Sequence, residues 1–168
     1  MIDYFALALC HGLLLIALIF TAISLFFSQT SYGTPSYPLT ADVIVTIMIG
    51  MTTFTLIVAV FYGGELVWRE RDTHINEIID STPAPGWVLF VPKIAAILAV
   101  LMIMALGGMV IGIVYQLIRG APQIDLGAYL AWYVLPQSID LLMIAILAVF
   151  AQVISPNKYI GWGLMLAW

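Results

Sequence analysis

Two places in this chain carry side chains able to do more than pack. The first is the stretch Glu65–Asp80, ELVWRERDTHINEIID, which holds half of all the charged side chains. Glu65 precedes Arg69 by four residues and Glu70 precedes His74 at the same spacing, which brings such side chains together on a helix. Ile75, Ile78 and Ile79 fall on one helical face, with Arg71, Glu77 and Asp80 mostly elsewhere. The chemistry on offer is ion pairing with a soluble surface at the edge of a membrane. The second place is Asp140, in the middle of an apolar run, four residues after Pro136 and close to Gln137 and Ser138. An ionised carboxylate at the bilayer centre costs about 2.5–3.5 kcal/mol on insertion scales, so it should face protein or water, or hold a proton. Pro136 leaves a backbone carbonyl unpaired that these polar neighbours could satisfy. Asp140 and Gln137 therefore read either as the lining of a transport path or as an interhelical hydrogen-bond clamp.

Other chemistries lack their residues. Cys10 is the sole cysteine, so no internal disulfide can form, and it is expected to pack as a small apolar group. His11 and His74 have no second ligand at metal spacing. There is no His-Glu-x-x-His zinc motif and no Gly-x-x-x-x-Gly-Lys-Ser/Thr phosphate loop. No catalytic residue, metal, cofactor or nucleic-acid partner is expected, and any ATP hydrolysis would belong to another subunit.

The elements that position these groups are membrane helices. Apolar residues make up 64% of the chain and charged ones 8%, against about 45–50% and about 25% in soluble domains. Mean hydropathy is +1.12. The fold class is all-α, a polytopic membrane protein with four full transmembrane helices and a truncated fifth. The spans are expected at Tyr4–Phe27, Asp42–Leu66, Trp87–Leu117 and Gly127–Ile154. Each exceeds the ~20 residues that cross ~30 Å of hydrocarbon. Tyr159–Trp168 begins a fifth, so the 168 residues are taken as one membrane domain from a longer chain. The first span is too long for a signal peptide and lacks its basic start and cleavage site. A short amphipathic helix over residues 65–82, continuing from the second span, should lie along the cytoplasmic interface and stop before Pro83. Gly33, Pro35 and Pro38 break the connection from Ser28 to Ala41, where Thr40 or Asp42 could cap the next helix.

Basic residues set the expected orientation. With a cytoplasmic amino terminus, Arg69, Arg71, Lys93 and Lys158 face inward and only Arg119 outward. Tyr32, Tyr37, Trp87, Tyr129, Trp132, Tyr133, Tyr159 and Trp162 cluster near the proposed ends, where amphipathic rings favour the interface. Gly108 and Gly112 form a Gly-x-x-x-Gly pair on the third span, with Ala105 and Gly107 nearby. Small residues at that spacing let helix backbones approach, against a neighbouring span or a second subunit.

The run GELVWRERDTHINEIIDSTPAPGWVLFVPK, Gly64–Lys93, resembles the second-to-third-helix region of permeases of the type-2 ABC exporter family. Glu65, Glu70, Pro83 and Lys93 follow that family's order of a glutamate, a charged helix, a proline and a lysine opening the third span. The TPSYP, WRERD, EIIDSTPAP and SPNKYIGWGLM strings and the Gln116 ending of the third span look like the bacterial subgroup in which the permease is sometimes joined to a zinc aminopeptidase-like domain. The resemblance spans nearly the whole chain. It departs from the family in lacking a basic amphipathic segment before the first span, a complete fifth span and a sixth. It implies a plasma-membrane permease whose coupling helix docks on a separate ABC ATPase, through Glu65, Trp68, Arg69, Glu70, Arg71, Asp72, Glu77, Pro83 and Lys93. A second permease half or a homodimer would complete the path. Two rivals from other classes stand beside this expectation: a proton-coupled secondary transporter using Asp140, and a membrane anchor for a downstream domain.

Overall fold

The computed structural model describes residues 2–27, 37–72, 86–121 and 123–167, with side chains from residue 11 onward except those of 70 and 72. Every regular element among them is helical: α1 (Ile2–Phe27), α2 (Thr40–Asp72), α3 (Trp87–Ile118), α4 (Leu126–Ile154) and α5 (Lys158–Leu166). Three stretches are long and apolar enough to cross a membrane: Thr40–Arg69, Trp87–Ile118 and Leu126–Ile154. In α1 the apolar stretch with described side chains, His11–Phe27, is shorter. These dimensions make the chain a multi-pass α-helical membrane protein. At ~1.5 Å per residue, α2 is roughly 50 Å long, so its charged end reaches beyond a ~30 Å hydrocarbon layer.

The helix ends have local causes. Gly120 takes φ +68°, and the Gly120 and Ala121 N–H groups bond back to Leu117 O and Gln116 O. This left-handed turn satisfies the last carbonyls of α3 and stops the helix. Asp125 and Asn157 accept hydrogen bonds from Ala128 N and Ile160 N, capping α4 and α5. Thr40 and Asp42, expected as caps, lie inside the first turn of α2. Within α4, Tyr129–Val134 is a π-helical turn in which the Leu135 N–H reaches back to Leu130 O. Pro136 follows at once; it has no N–H to donate, and its ring crowds the carbonyl four residues earlier, so the backbone widens there.

The chain divides into two compact units. The first comprises the chain up to Thr55 together with Met102–Ile139. In it α2 runs antiparallel to α1, with Thr21 against Gly50 and Phe20 against Phe54. α3 runs parallel to α1, with Leu18 near Gly107 and Phe26 edge-on to Tyr115 at 5.3 Å. Ala17, Thr21 and Leu25, four residues apart, form the buried stripe of α1. Thr21 satisfies its hydroxyl on Ala17 O, so a polar residue can sit in an apolar seam.

The second unit comprises Leu56–Leu101 and Asp140–Trp168. α4 runs parallel to α2, with Gly63 against Ala148 and Trp68 against Gln152. α5 folds back antiparallel to α2, pairing Phe61 with Trp162 and Glu65 with Lys158.

Candidate functional site

The charged end of α2 is built into the second unit. Lys158 Nζ donates to Glu65 Oε1, joining the first residue of α5 to α2. Both side chains are half-buried, at 23% and 28% exposure. One turn on, Trp68 Nε1 donates to Gln152 Oε1 at 2.9 Å. Arg71 stacks over the Trp68 ring at 4.7 Å and directs its guanidinium at Val153 O, 3.4 Å away. Gln152 is fully buried and leans on the Gly161 backbone, while Trp162 leans on Gly64. Any side chain at those glycines would occupy the space of the amide or the indole. Lys158 also lies 5.3 Å from the Trp162 ring, which stacks on Phe61 at 4.8 Å. Gln152 Nε2 and Trp162 Nε1 are buried without an acceptor among the described residues.

The arrangement is mechanical in character. Three polar links within two turns tie α2 to the end of α4 and the start of α5. Hydrogen bonds in a low-dielectric setting are directional and cannot slide as apolar contacts do. A force applied to the end of α2 is therefore delivered to two other helices.

The expected coupling residues divide accordingly. Glu65, Trp68 and Arg71 meet in this cluster, and Arg69 is exposed beside it. Glu65, expected to pair with Arg69 along its own helix, is joined across helices to Lys158. Lys93 is half-buried in the second turn of α3. The Glu70 and Asp72 side chains, His74, Glu77, Asp80 and Pro83 lie outside the described residues, as do the amphipathic helix beyond Asp72, the Cys10 side chain and most of the 28–41 connection.

Gly108 and Gly112 sit in the first unit, on a face turned to the chain itself. A Cβ at Gly108 would stand 2.9 Å from Ile47 Cγ2 and 2.9 Å from the Tyr133 hydroxyl; one at Gly112 would stand 2.9 Å from the Tyr129 hydroxyl. α2 and α4 thus occupy the notches. Tyr129 and Tyr133, expected at the interface, are buried. Tyr129 donates to Gln116 Oε1 at 2.9 Å and Tyr133 to Ala105 O at 3.0 Å. Gln116 Nε2 in turn donates to Pro38 O and Thr40 Oγ1, so one buried amide joins α3, α4 and the entry to α2. Trp87, Trp132 and Tyr159 are well exposed.

Gln137 is half-buried and Asp140 exposed. Ser138 bonds to Leu135 O, within its own turn. Asp140 makes no interhelical clamp among the described residues.

Gln152 had no signal in the sequence, and Lys158 and Trp162 stood out only as an inward-facing cation and an interfacial ring. The tyrosines had one: Tyr129 and Tyr133 repeat the four-residue spacing of Gly108 and Gly112. No family model, curated protein or solved structure matches this chain.

Proposed function

We propose that this chain is the membrane-spanning permease of an ATP-driven exporter, with the segment that begins at Glu65 as its coupling element. The observation that supports this reading is the bracing of Glu65, Trp68 and Arg71 on Lys158, Gln152 and Val153. A coupling element must pass a push from a soluble engine into the bilayer, and this one is joined to two other helices, α4 and α5, by directional bonds. In this reading the engine is a separate ATPase; the 168 residues carry no phosphate loop of their own. In this reading α1 is the fourth full span and α5 the start of a fifth. The α2–α3 connection faces the cytoplasm of a cell whose plasma membrane holds the protein. Nucleotide-driven closure of the ATPase displaces the 65–82 segment, and α2, α4 and α5 carry the motion to the transport path.

A photo-crosslinking residue at Thr73, introduced in native membranes, tests this. The expected product is an adduct with a protein carrying a phosphate-binding loop, in a yield that changes when ATP and magnesium are added. An adduct with no nucleotide-binding protein under either condition refutes the proposal.

A further inference from the structure

From Tyr129 to Ala145 the buried side chains of α4 are Tyr129, Tyr133, Leu141 and Ala145, and half-buried Gln137 completes a run spaced by four residues throughout. An α-helix turns about 100° per residue, so each step of four overshoots a full turn by about 40°. Over the four steps from Tyr129 to Ala145 the drift would reach about 160°, which would set the two on opposite sides of the helix. The π turn at Tyr129–Val134 prevents this by taking up one extra residue, about 100° of rotation. Counted back from Leu141 along an unbroken α-helix, the residues on the buried side would be Val134 and Leu130 instead. In the structure Leu130 is 53% exposed.

What the π turn secures is two hydroxyl bonds. Tyr129 donates to Gln116 Oε1 and Tyr133 to Ala105 O, with their rings over the notches at Gly112 and Gly108. The backbone bonds balance at this point. In the π form the Leu135 N–H reaches Leu130 O; in an α form it would reach Ala131 O, one bond for one. Pro136 has no N–H, so straightening the turn gains no bond to Trp132 O. Leu130 and Val134 are apolar and smaller than tyrosine, so the glycine notches admit them as well. The two hydroxyls are the difference between the forms.

We propose that the segment of α4 before Leu135 has two registers, a π form and an α form, and that the Tyr129 and Tyr133 hydroxyls select the first. Conversion turns the segment by one residue. Leu130 and Val134 move onto Gly112 and Gly108, and Tyr129 leaves Gln116 and comes out to the surface. Gln116 is the control point. Its amide also donates to Pro38 O and Thr40 Oγ1, so a change at the entry to α2 reaches Tyr129 through one buried side chain. The proposal does not depend on the exporter reading, since the turning segment, both notches and Gln116 belong to the first unit, and none of them to the charged end of α2.

The test is disulfide formation, on mild oxidation in membranes, between cysteines placed at Val43 and Leu130 with Cys10 replaced. Val43 Cγ1 lies 3.0 Å from the position of a Cβ at Gly112, so the two cysteines meet in the α form, when residue 130 is over that notch. The yield should be low with both tyrosines present. It should rise roughly ten-fold in the Tyr129→Phe, Tyr133→Phe chain, about what two membrane hydrogen bonds contribute. Gln116→Leu removes the acceptor of the Tyr129 hydroxyl without touching α4 and should raise the yield too. Deleting Val134 takes out the extra residue, so an unbroken α-helix then carries Tyr129 over Gly112. In that chain the yield should stay low with or without the hydroxyls. A yield that ignores the hydroxyls in a folded chain, or that rises in the deletion chain as well, overturns the proposal. So does a failure of every hydroxyl-free variant to fold, which would make the tyrosines holders of the unit and not of a register. Loss of ATPase capture at Thr73 with this disulfide pattern intact would refute the exporter reading and leave the two registers standing.

Discussion

Trp68 and Gln152, one on α2 and one on α4, are joined by a 2.9 Å hydrogen bond from the indole N–H to the amide oxygen. Gln152 is fully buried, so its oxygen is committed to Trp68 and has no water to fall back on. Together with the Arg71 contact to Val153 O one turn on, the bond ties α2 to α4 in the second unit.

Replacing Gln152 with Leu should therefore loosen the second unit. The Trp68 N–H loses its acceptor, and membrane hydrogen bonds contribute about 0.6 kcal/mol on average and up to about 1.7 kcal/mol. Denaturant titration in detergent micelles should show a loss in that range. Unchanged stability would mean that the bond does not hold the two helices.

The Glu65–Lys158 pair should respond to charge exchange. Glu65→Lys sets two cations face to face, and Lys158→Glu two carboxylates; the double exchange restores attraction. Both groups retain partial solvent exposure, so the coupling in a double-mutant cycle is expected at about 0.5–1 kcal/mol. Additive single effects would show that the pair does not act as one.

At Gly112 a methyl group meets the Tyr129 hydroxyl at 2.9 Å. Gly112→Ala should destabilise the first unit by about 1–3 kcal/mol through overpacking. It should leave the mass of the detergent-solubilised particle unchanged, since α2 and α4 of the same chain fill that notch. A shift from dimer to monomer with stability intact would instead make the glycines an intermolecular contact.

Topology is open to labelling. With Cys10 replaced, a cysteine at Ser36 should react with an impermeant reagent in intact cells, and one at Thr73 only after permeabilisation. The basis is the inward bias of Lys and Arg. The reverse pattern would invert the orientation.

Much of the fold was legible in the sequence because lipid imposes a simple requirement. Every backbone group in hydrocarbon must bond within its own helix, so long apolar runs ended by Gly, Pro and Asn translate directly into helices. Trp87–Leu117 was expected and Trp87–Ile118 is observed; Gly127–Ile154 was expected and Leu126–Ile154 is observed. The charged end of α2 was equally visible, since those side chains stand out against hydrocarbon.

Which face each helix turns toward its neighbours was decided only in the tertiary structure. In water a buried face is apolar and an exposed one polar, and the alternation can be read. In a bilayer lipid and protein interior are equally apolar, so a buried Ile47 and an exposed Ile49 look alike in sequence. What selects the face is shape and hydrogen bonding: Tyr129 and Tyr133 over Gly112 and Gly108, Gln116 bridging to Pro38, Trp68 on Gln152. Those partners are tens of residues apart in the chain. Sequence alone announced that Glu65 and Asp140 need company; the packing of α2 against α5 supplied Lys158 to the first, and left the second exposed at the middle of its span.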